Sequence, residues 1–272
     1  MSYMPTFASQ WPAHEAGRIT HDSGARARIL ITGASGVIGT IAAQTLGRDF
    51  ELVGLDLVEA ADPSLFAAFH IGSVANLADV ECALDQADYV LHLATGGPLG
   101  WPGLVQTEIE GTRNVLEGAI AAGVTRVVLA SSNHTHGCAE LDLFAHRDVE
   151  LPVRPGDAPR PDGLYGAAKV ALEALGRVAA ESTGLAVSVL RIGTMRLDDH
   201  PSHFFDDHAF GYIGSASEVE QRLERSWLFH EDFNAVVREE LQATETFRLR
   251  FAASNDDESV WSKEIFTWIR GH

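Results

Sequence analysis

A glycine-spaced turn directly after an apolar run constrains the fold of this chain more than any other feature of its sequence. The run RILIT at residues 28–32 is followed by Gly33, Gly36 and Gly39, and then by a stretch of helical length. In such a turn the first glycine permits a tight bend, the second lets the backbone approach a pyrophosphate, and the third allows the helix to pack on the strand. The helix start also offers free N–H groups to an anion. The pattern predicts a strand–turn–helix unit that binds a dinucleotide.

A second apolar run, ELVGLD at residues 51–56, supports that prediction because it ends in an acid. Asp56 stands where a carboxylate can bind a ribose 2′-hydroxyl. Leu57 follows, with no Arg or Lys beside it to neutralise a 2′-phosphate. The sequence therefore predicts NAD and disfavours NADP, against the alternative of a structural turn with an incidental acid. The other predicted cofactor contacts lie in the turn and at the ends of strands: Ser35, Val37, Ile38, Leu57, Leu93, Ala94, Thr95 and Ile192. Tyr165 and Lys169, from a later helix, are predicted to contact the cofactor as well.

Apolar runs alternate with amphipathic stretches along most of the chain, which is typical of an α/β protein with a Rossmann-type, doubly wound parallel sheet. We expect strands at residues 28–33, 51–56, 66–71, 88–94, 126–132, 186–192 and 247–252. We expect helices at residues 36–46, 76–86, 104–122, 164–181, 218–225, 232–241 and 259–270. The charges and prolines of residues 137–163 predict a long irregular connection.

The alternation weakens after residue 192, and this predicts the organisation of the chain. We interpret residues 28–272 as a single domain, in which residues 28–192 form the NAD-binding core. Residues 193–272 would form a small, irregular C-terminal part that mainly binds substrate. Residues 1–27 have no continuous apolar stretch and are interpreted as a tail or arm.

The spacing of Tyr165 and Lys169 predicts the catalytic chemistry, because side chains four residues apart share one face of a helix. A free tyrosine has a pKa of about 10 and is a poor base at neutral pH. A neighbouring ammonium group favours the phenolate. Ser132, at the end of a predicted strand, can hold a reacting oxygen beside the tyrosine. The chain has one other lysine, Lys263, and otherwise uses arginine, which favours a specific role for Lys169 over a surface helix pair.

The composition argues against several classes of partner. The net charge of −18 would repel nucleic acids and anionic membrane surfaces, and no apolar run approaches the ~18 residues of a membrane span. The acid excess fits either adaptation to high salt or GC-rich coding. Cys82 and Cys138 form no disulfide framework or metal-binding spacing, which favours a reducing cytoplasm.

With these motifs the chain resembles the extended short-chain dehydrogenase/reductase family, also described as the NAD-dependent epimerase/dehydratase family. The resemblance covers roughly residues 28–268 and includes HLA at residues 92–94 and RIG at residues 191–193. The segment SSNHTHG at residues 131–137 is similar to uronate dehydrogenases and related archaeal sugar dehydrogenases acting at C1. Sugar-nucleotide epimerases typically have a tyrosine where this chain has His136.

The resemblance implies an NAD-dependent oxidoreductase that oxidises the C1 hydroxyl of a cyclic sugar to a lactone by hydride transfer. Tyr165 would remove the hydroxyl proton, Lys169 would hold the nicotinamide ribose, and Ser132 would bind the reacting oxygen. The side chains expected to contact the sugar are Thr95, Ser132, Asn133, His134, Tyr165 and Thr194.

Three departures from the family pattern bear on mechanism and substrate. Glu108 or its neighbours, in the stretch EIEGT at residues 108–112, lie where the family usually has an asparagine that supports a water linked to the lysine, so the proton relay is expected to differ. Ser73 lies where an acid often meets the adenine. The arginine that clamps the carboxylate in uronate dehydrogenases is replaced by the acidic segment 198–203. A substrate carboxylate would meet repulsion there unless Arg196 turns inward, so a neutral aldose is favoured over a uronate or a sugar phosphate. The acids and histidines of residues 198–208 have no standard metal-site spacing, and no metal is expected.

Two other functions remain compatible with the sequence. One is a sugar-nucleotide epimerase or dehydratase with bound NAD, and the other is a non-catalytic NAD-binding sensor. The helices expected at residues 104–122 and 164–181 are the pair that commonly meets a twofold mate in this fold, which favours a homodimer or higher homo-oligomer.

Overall fold

The computed structural model describes residues 11, 26–201, 216–254 and 260–268 of the 272-residue chain. Its centre is an eight-stranded sheet with the order β3-β2-β1-β4-β5-β6-β7-β8, in which all neighbours are parallel except β7 and β8. The strands are β1 Arg28–Thr32, β2 Glu51–Asp56, β3 Ala68–Ile71, β4 Tyr89–His92, β5 Arg126–Ser132, β6 Ala186–Ile192, β7 Phe247–Ala252 and β8 Phe266–Trp268.

Helices cover both faces of this sheet. They are α1 Val37–Leu46, α2 Leu77–Ala83, α3 Gly100–Leu104, α4 Thr112–Ala122, α5 Gly137–Phe144, α6 Leu164–Thr183, α7 Ala216–Ser226 and α8 His230–Gln242, with a π-helical segment, Val105–Gly111, between α3 and α4. The predicted α/β class with a doubly wound parallel sheet is confirmed. Among the described segments, no helix is both long and apolar enough to cross a membrane.

The apolar character of the strands follows from this double cover. Leu30 of β1 packs in the cluster beneath α2, α4 and α6, whereas Ile29 and Ile31 pack in the cluster beneath α1 and α8. Successive side chains of a strand point to opposite faces, so a strand covered on both faces is a continuous apolar run rather than an alternating one.

The order of the strands places the site. The chain moves outward from β1 through β2 to β3 and then returns to the other side of β1 with β4. Open parallel sheets bind ligands at such a reversal, outside the carboxyl ends of the strands. The turn after β1 and the segment after β4 meet there.

The structure corrects two predicted elements. The helix expected at residues 259–270 is wrong, because Phe266–Trp268 forms β8, antiparallel to β7, with Phe266 packed against the core. Pairing with a sheet edge overrides the helical spacing. The connection at residues 137–163 is not irregular throughout, because it begins with α5. The apolar side chains Ala139 and Leu143 of α5 pack in a small cluster with Phe251.

The predicted arm lies mostly outside the described residues. Trp11 is described, and its half-buried side chain packs against the cluster that also contains Leu30. The domain boundaries expected from the sequence stay a prediction.

Candidate active site

The turn after β1 requires its glycines. Gly33 has a φ of +69°, and a Cβ atom there would lie 2.6 Å from the backbone nitrogen of Ala94. A Cβ atom at Gly39 would lie 2.3 Å from the carbonyl oxygen of Gly33, so any side chain would push α1 away from β1. Gly36 precedes α1 and makes no side-chain cap. Val37 and Ile38 form the start of this helix, whose unpaired N–H groups suit an anion.

Asp56 lies at the carboxyl end of β2 and organises the same turn. Its Oδ2 accepts a hydrogen bond from the backbone N–H of Ser35 at 2.9 Å, and its Oδ1 accepts one from the N–H of Leu57 at 2.6 Å. Each carboxylate oxygen can accept a further hydrogen bond, so Asp56 remains able to bind a ribose hydroxyl.

A cleft of about 330 Å³ joins these residues to the segment after β4. Its lining includes most of the predicted cofactor contacts: Gly33, Ser35, Gly36, Asp56, Leu57, Leu93, Ala94 and Thr95, together with Ser73, Leu99 and Thr107. Ile192 lies farther along the sheet, buried at the end of β6. A turn whose glycines let the backbone approach a ligand, an open helix start and the Asp56 carboxylate at the end of β2 fit a dinucleotide.

Ser132 ends β5, and the chain then turns through a short 3-10 helix at residues 133–136. The Oγ of Ser132 accepts a hydrogen bond from the N–H of His134 at 3.2 Å and donates one to Oδ1 of Asn133 at 3.3 Å. Asn133 and His134, both predicted to contact the sugar, are therefore held beside Ser132 at the carboxyl end of the sheet.

Tyr165 and Lys169 lie in the first turns of α6, as the spacing predicted. The Lys169 Nζ atom is 5.7 Å from the centre of the Tyr165 ring. The ammonium group is buried and donates hydrogen bonds to the carbonyl oxygen of Ala130 and to Oε2 of Glu108, each at 2.8 Å. The lysine is thus fixed between β5, the π-helical segment and the tyrosine.

Glu108 lies in one of the three places where the sequence departs from the family pattern, and the structure shows what its side chain contacts. The side chain is fully buried, and its Oε1 accepts hydrogen bonds from the Thr95 hydroxyl at 2.6 Å and from the N–H of Gly96 at 3.2 Å. Burial alone would raise its pKa, but the charge of Lys169 and the hydrogen bonds outweigh burial and lower it. Burial and the charge of Lys169 lower the pKa of the neighbouring His92 to about 4. His92 is therefore neutral at neutral pH.

His134 belongs to a buried polar network that the sequence did not predict. Its Nδ1 lies 2.7 Å from Oδ2 of Asp162, and its Nε2 lies 3.3 Å from Nη2 of Arg222, a residue of α7. Arg222 in turn forms a 2.9 Å ion pair with Glu140 of α5. The His134 ring packs edge-on against Tyr165, with centroids 5.7 Å apart. Two distant segments, residues 162–165 and α7, supply the partners of His134, so no local spacing in the sequence marks them.

Thr194, the remaining predicted sugar contact, follows β6. Its hydroxyl lies 2.9 Å from the Ser226 hydroxyl, which joins it to the end of α7. In the acidic segment, Asp199 accepts a hydrogen bond from the N–H of His230 at 3.1 Å and so satisfies the start of α8. The candidate ligands His203, Asp206, Asp207 and His208 lie outside the described residues. Within the described ranges, no three His, Cys, Asp or Glu side chains form a group that could hold a metal ion.

The fold and the site define an extended short-chain dehydrogenase/reductase. A glycine turn stands at the reversal of a parallel sheet, and a Tyr–Lys pair faces a strand that ends in serine. The family model described as NAD dependent epimerase/dehydratase matches residues 29–233, and the chain belongs to that family. The family resemblance and the prediction of NAD as cofactor are thereby confirmed.

Two relatives of this chain come from Haloferax volcanii. The chain is 30% identical over 251 residues to an L-arabinose 1-dehydrogenase (NAD(P)(+)), a match that covers 85% of this chain and 90% of the relative. It is 25% identical over 258 residues to an NAD-dependent glucose-6-phosphate dehydrogenase, covering 90% and 91%. Among solved structures, the uronate dehydrogenase of Agrobacterium tumefaciens superposes with a TM-score of 0.68 at 25% identity, covering 88% of this chain and 80% of that one.

Proposed function

We propose that this protein is an NAD-dependent oxidoreductase that oxidises the C1 hydroxyl of a neutral cyclic aldose to a lactone. One observation carries the proposal: the buried Lys169 ammonium lies 5.7 Å from the ring centre of Tyr165, on a helix that packs against the serine-ended strand β5. The relatives named as sugar dehydrogenases support the reaction class.

The side chains of this site have distinct tasks in the proposed reaction. When bound, NAD supplies the acceptor for the hydride that leaves C1. Tyr165 takes the proton of the C1 hydroxyl, and Lys169 stabilises the phenolate that does so. When the substrate binds, Ser132 redirects its hydroxyl proton from Asn133 to the reacting oxygen, which gains carbonyl character. The glycine turn and Asp56 bind the pyrophosphate and the adenosine ribose.

The charges around His134 favour a neutral substrate. The Arg222 guanidinium contacts His134 but is already paired with the buried carboxylate of Glu140, and Asp162 lies on the other side of the ring. A substrate carboxylate or phosphate in this position would meet two carboxylates against one arginine. A neutral hydroxyl would meet no such repulsion, in agreement with the acidic segment that follows β6.

The proposal is tested with purified protein, NAD and a panel of neutral pentoses and hexoses, their phosphates, and uronates, with NADH absorbance as the readout. We expect the wild type to reduce NAD in the presence of a neutral aldose, and the Tyr165→Phe variant to produce no NADH. Preference for a uronate or a sugar phosphate would overturn the neutral-substrate part. NAD binding without turnover across the panel would overturn the dehydrogenase and favour an epimerase or a sensor.

The proposal extends to location and assembly. The two unpaired cysteines fit a reducing cytoplasm, and Val178 leaves an exposed apolar side chain on α6. We propose a cytoplasmic homodimer that pairs through α4 and α6. Sedimentation of the wild type and of Val178→Glu tests the assembly, and a monomeric wild type would contradict it.

A further inference from the structure

Glu108 connects two elements of the site that are far apart in sequence. One carboxylate oxygen binds the Lys169 ammonium, and the other binds the hydroxyl of Thr95 and the N–H of Gly96. The side chains of Glu108 and Lys169 are 0% and 2% exposed, so water does not screen the pair. A buried carboxylate in direct contact with the ammonium changes what the lysine can do for the tyrosine.

The backbone around Glu108 accounts for its reach. It lies in the middle of the π-helical segment Val105–Gly111, which packs against α6. Segments of this kind interrupt an α-helix and re-aim its side chains, and they occur frequently at functional sites. Glu110, two residues later, lies on the surface and pairs with Arg113.

The geometry limits the hydrogen bonds of the lysine. An ammonium group has three N–H donors, and two of them point at Glu108 and at the Ala130 carbonyl. One donor remains for the tyrosine or a ribose hydroxyl. The positive field at Tyr165 is likewise reduced, because the carboxylate at 2.8 Å carries the opposite charge.

We propose that Glu108 is a positioning residue of the proposed reaction, which fixes the Lys169 ammonium and partly cancels its positive field at Tyr165. This inference rests on the proposed function only for its effect on turnover. The effect on the tyrosine exists without any substrate.

The same carboxylate sets the polarity of Thr95. The Thr95 hydroxyl donates its proton to Glu108, so the Thr95 oxygen can only accept a hydrogen bond from a ligand. Thr95 is exposed and lines the cofactor cleft. It is therefore an acceptor for a hydroxyl or amide N–H of the bound molecule, and it cannot act as a donor while Glu108 is ionised.

Other charged groups around this pair are already neutral or balanced. His92, from β4, is neutral because burial lowers its pKa to about 4. Glu173, on α6, is paired with Arg191 of β6 at 2.8 Å. His134, which packs against Tyr165, is bound by Asp162 and Arg222. Removal of the charge of Glu108 is therefore the substitution that changes the field most directly.

The test compares Glu108→Gln with Glu110→Gln, a matched change two residues away on the surface. Tyrosinate absorbance is titrated in each variant and in the same variant carrying Tyr165→Phe, and the difference isolates Tyr165 without any substrate. We expect the pH of phenolate formation to fall by about one unit in Glu108→Gln and to stay at the wild-type value in Glu110→Gln. Where a sugar substrate is found, the acid limb of the pH profile of kcat/KM is expected to shift to lower pH in Glu108→Gln as well.

An unchanged or higher pH of phenolate formation in Glu108→Gln overturns the proposal. If that variant does not fold, Glu108→Asn replaces it, because the shorter amide leaves room for a water molecule beside the ammonium, and the same shift is expected. Glu108→Asp keeps the negative charge but shortens the side chain, and we expect it to titrate like the wild type. This result would separate the effect of the charge of Glu108 from the effect of its shape. A titration shift without turnover on any sugar would uphold the role of Glu108 while overturning the proposed function.

Discussion

Arg222→Met is expected to destabilise the protein strongly, because it leaves a buried carboxylate without its cation. Arg222 and Glu140 form their ion pair at 2.9 Å with side-chain exposures of 6% and 4%. Breaking such a pair from one side costs about 3–5 kcal/mol of the free energy of unfolding. Burial raises the pKa of Glu140, and Arg222 opposes that rise. Without the arginine, the native state holds a proton on Glu140 more tightly than the unfolded state does.

The sign of the pH dependence follows from that proton. A carboxyl group whose pKa is raised in the folded state makes the protein less stable as the pH increases. The loss in free energy of unfolding caused by Arg222→Met is therefore larger at pH 8 than at pH 5. Urea denaturation of the wild type and the variant at both values measures it. The double variant Arg222→Met/Glu140→Met should recover most of the loss, because an apolar pair of similar volume often replaces a buried ion pair without cost.

The control is Arg113→Met, which removes an exposed arginine paired with Glu110 and Glu117 and should cost less than about 1 kcal/mol. A loss below about 1 kcal/mol for Arg222→Met, or a double variant no more stable than the single one, would refute the reasoning. Arg222→Met also removes one of the two polar partners of His134, whose ring packs against Tyr165, so the KM for the sugar should rise even where the variant remains folded.

Three further outcomes are expected. Tyr165→Phe should lower kcat by about 10²–10⁴-fold while NAD affinity, measured by calorimetry, is retained; a variant with wild-type turnover would exclude the tyrosine as the base. His92 has a pKa of about 4 in the folded protein against 6.5 unfolded, so its contribution is complete above pH 6.5 and is lost as the pH falls towards 4. When the pH is lowered from 7 to 4.5, the free energy of unfolding of His92→Asn, measured by urea denaturation, should therefore fall by about 2 kcal/mol less than that of the wild type. Equal decreases would contradict this. Asp56→Asn should narrow the preference for NAD over NADP by about tenfold in relative kcat/KM, and an unchanged ratio would show that Asp56 does not repel the 2′-phosphate.

The parts of the fold that sequence could predict depend on local spacing. The turn from Gly33 to Gly39 and the pair Tyr165 and Lys169 are each set within one strand–turn–helix unit or one helix. Their positions followed directly from the order of residues. The sheet class followed as well, because a strand covered on both faces must be apolar throughout.

The parts that sequence could not predict depend on which distant segments meet. Arg222 reaches His134 from α7, and nothing in the spacing of α7 marks that contact. β8 was expected as part of a helix because its pairing with β7 is a tertiary contact that local spacing does not report. Glu108 was recognised as a departure, but its direct contact with Lys169 depends on the π-helical backbone.

The π-helical backbone of residues 105–111 also determines which side chain contacts Lys169. Each residue of an α-helix turns the chain by about 100°, because a full turn takes 3.6 residues. A single deletion within Val105–Gly111 that restored a continuous α-helix would leave α4 in the core but rotate the preceding residues by that angle. A different side chain would then face the ammonium group, although Glu108 itself had not been substituted. The chemistry around the lysine can therefore change by the length of this segment as readily as by its composition.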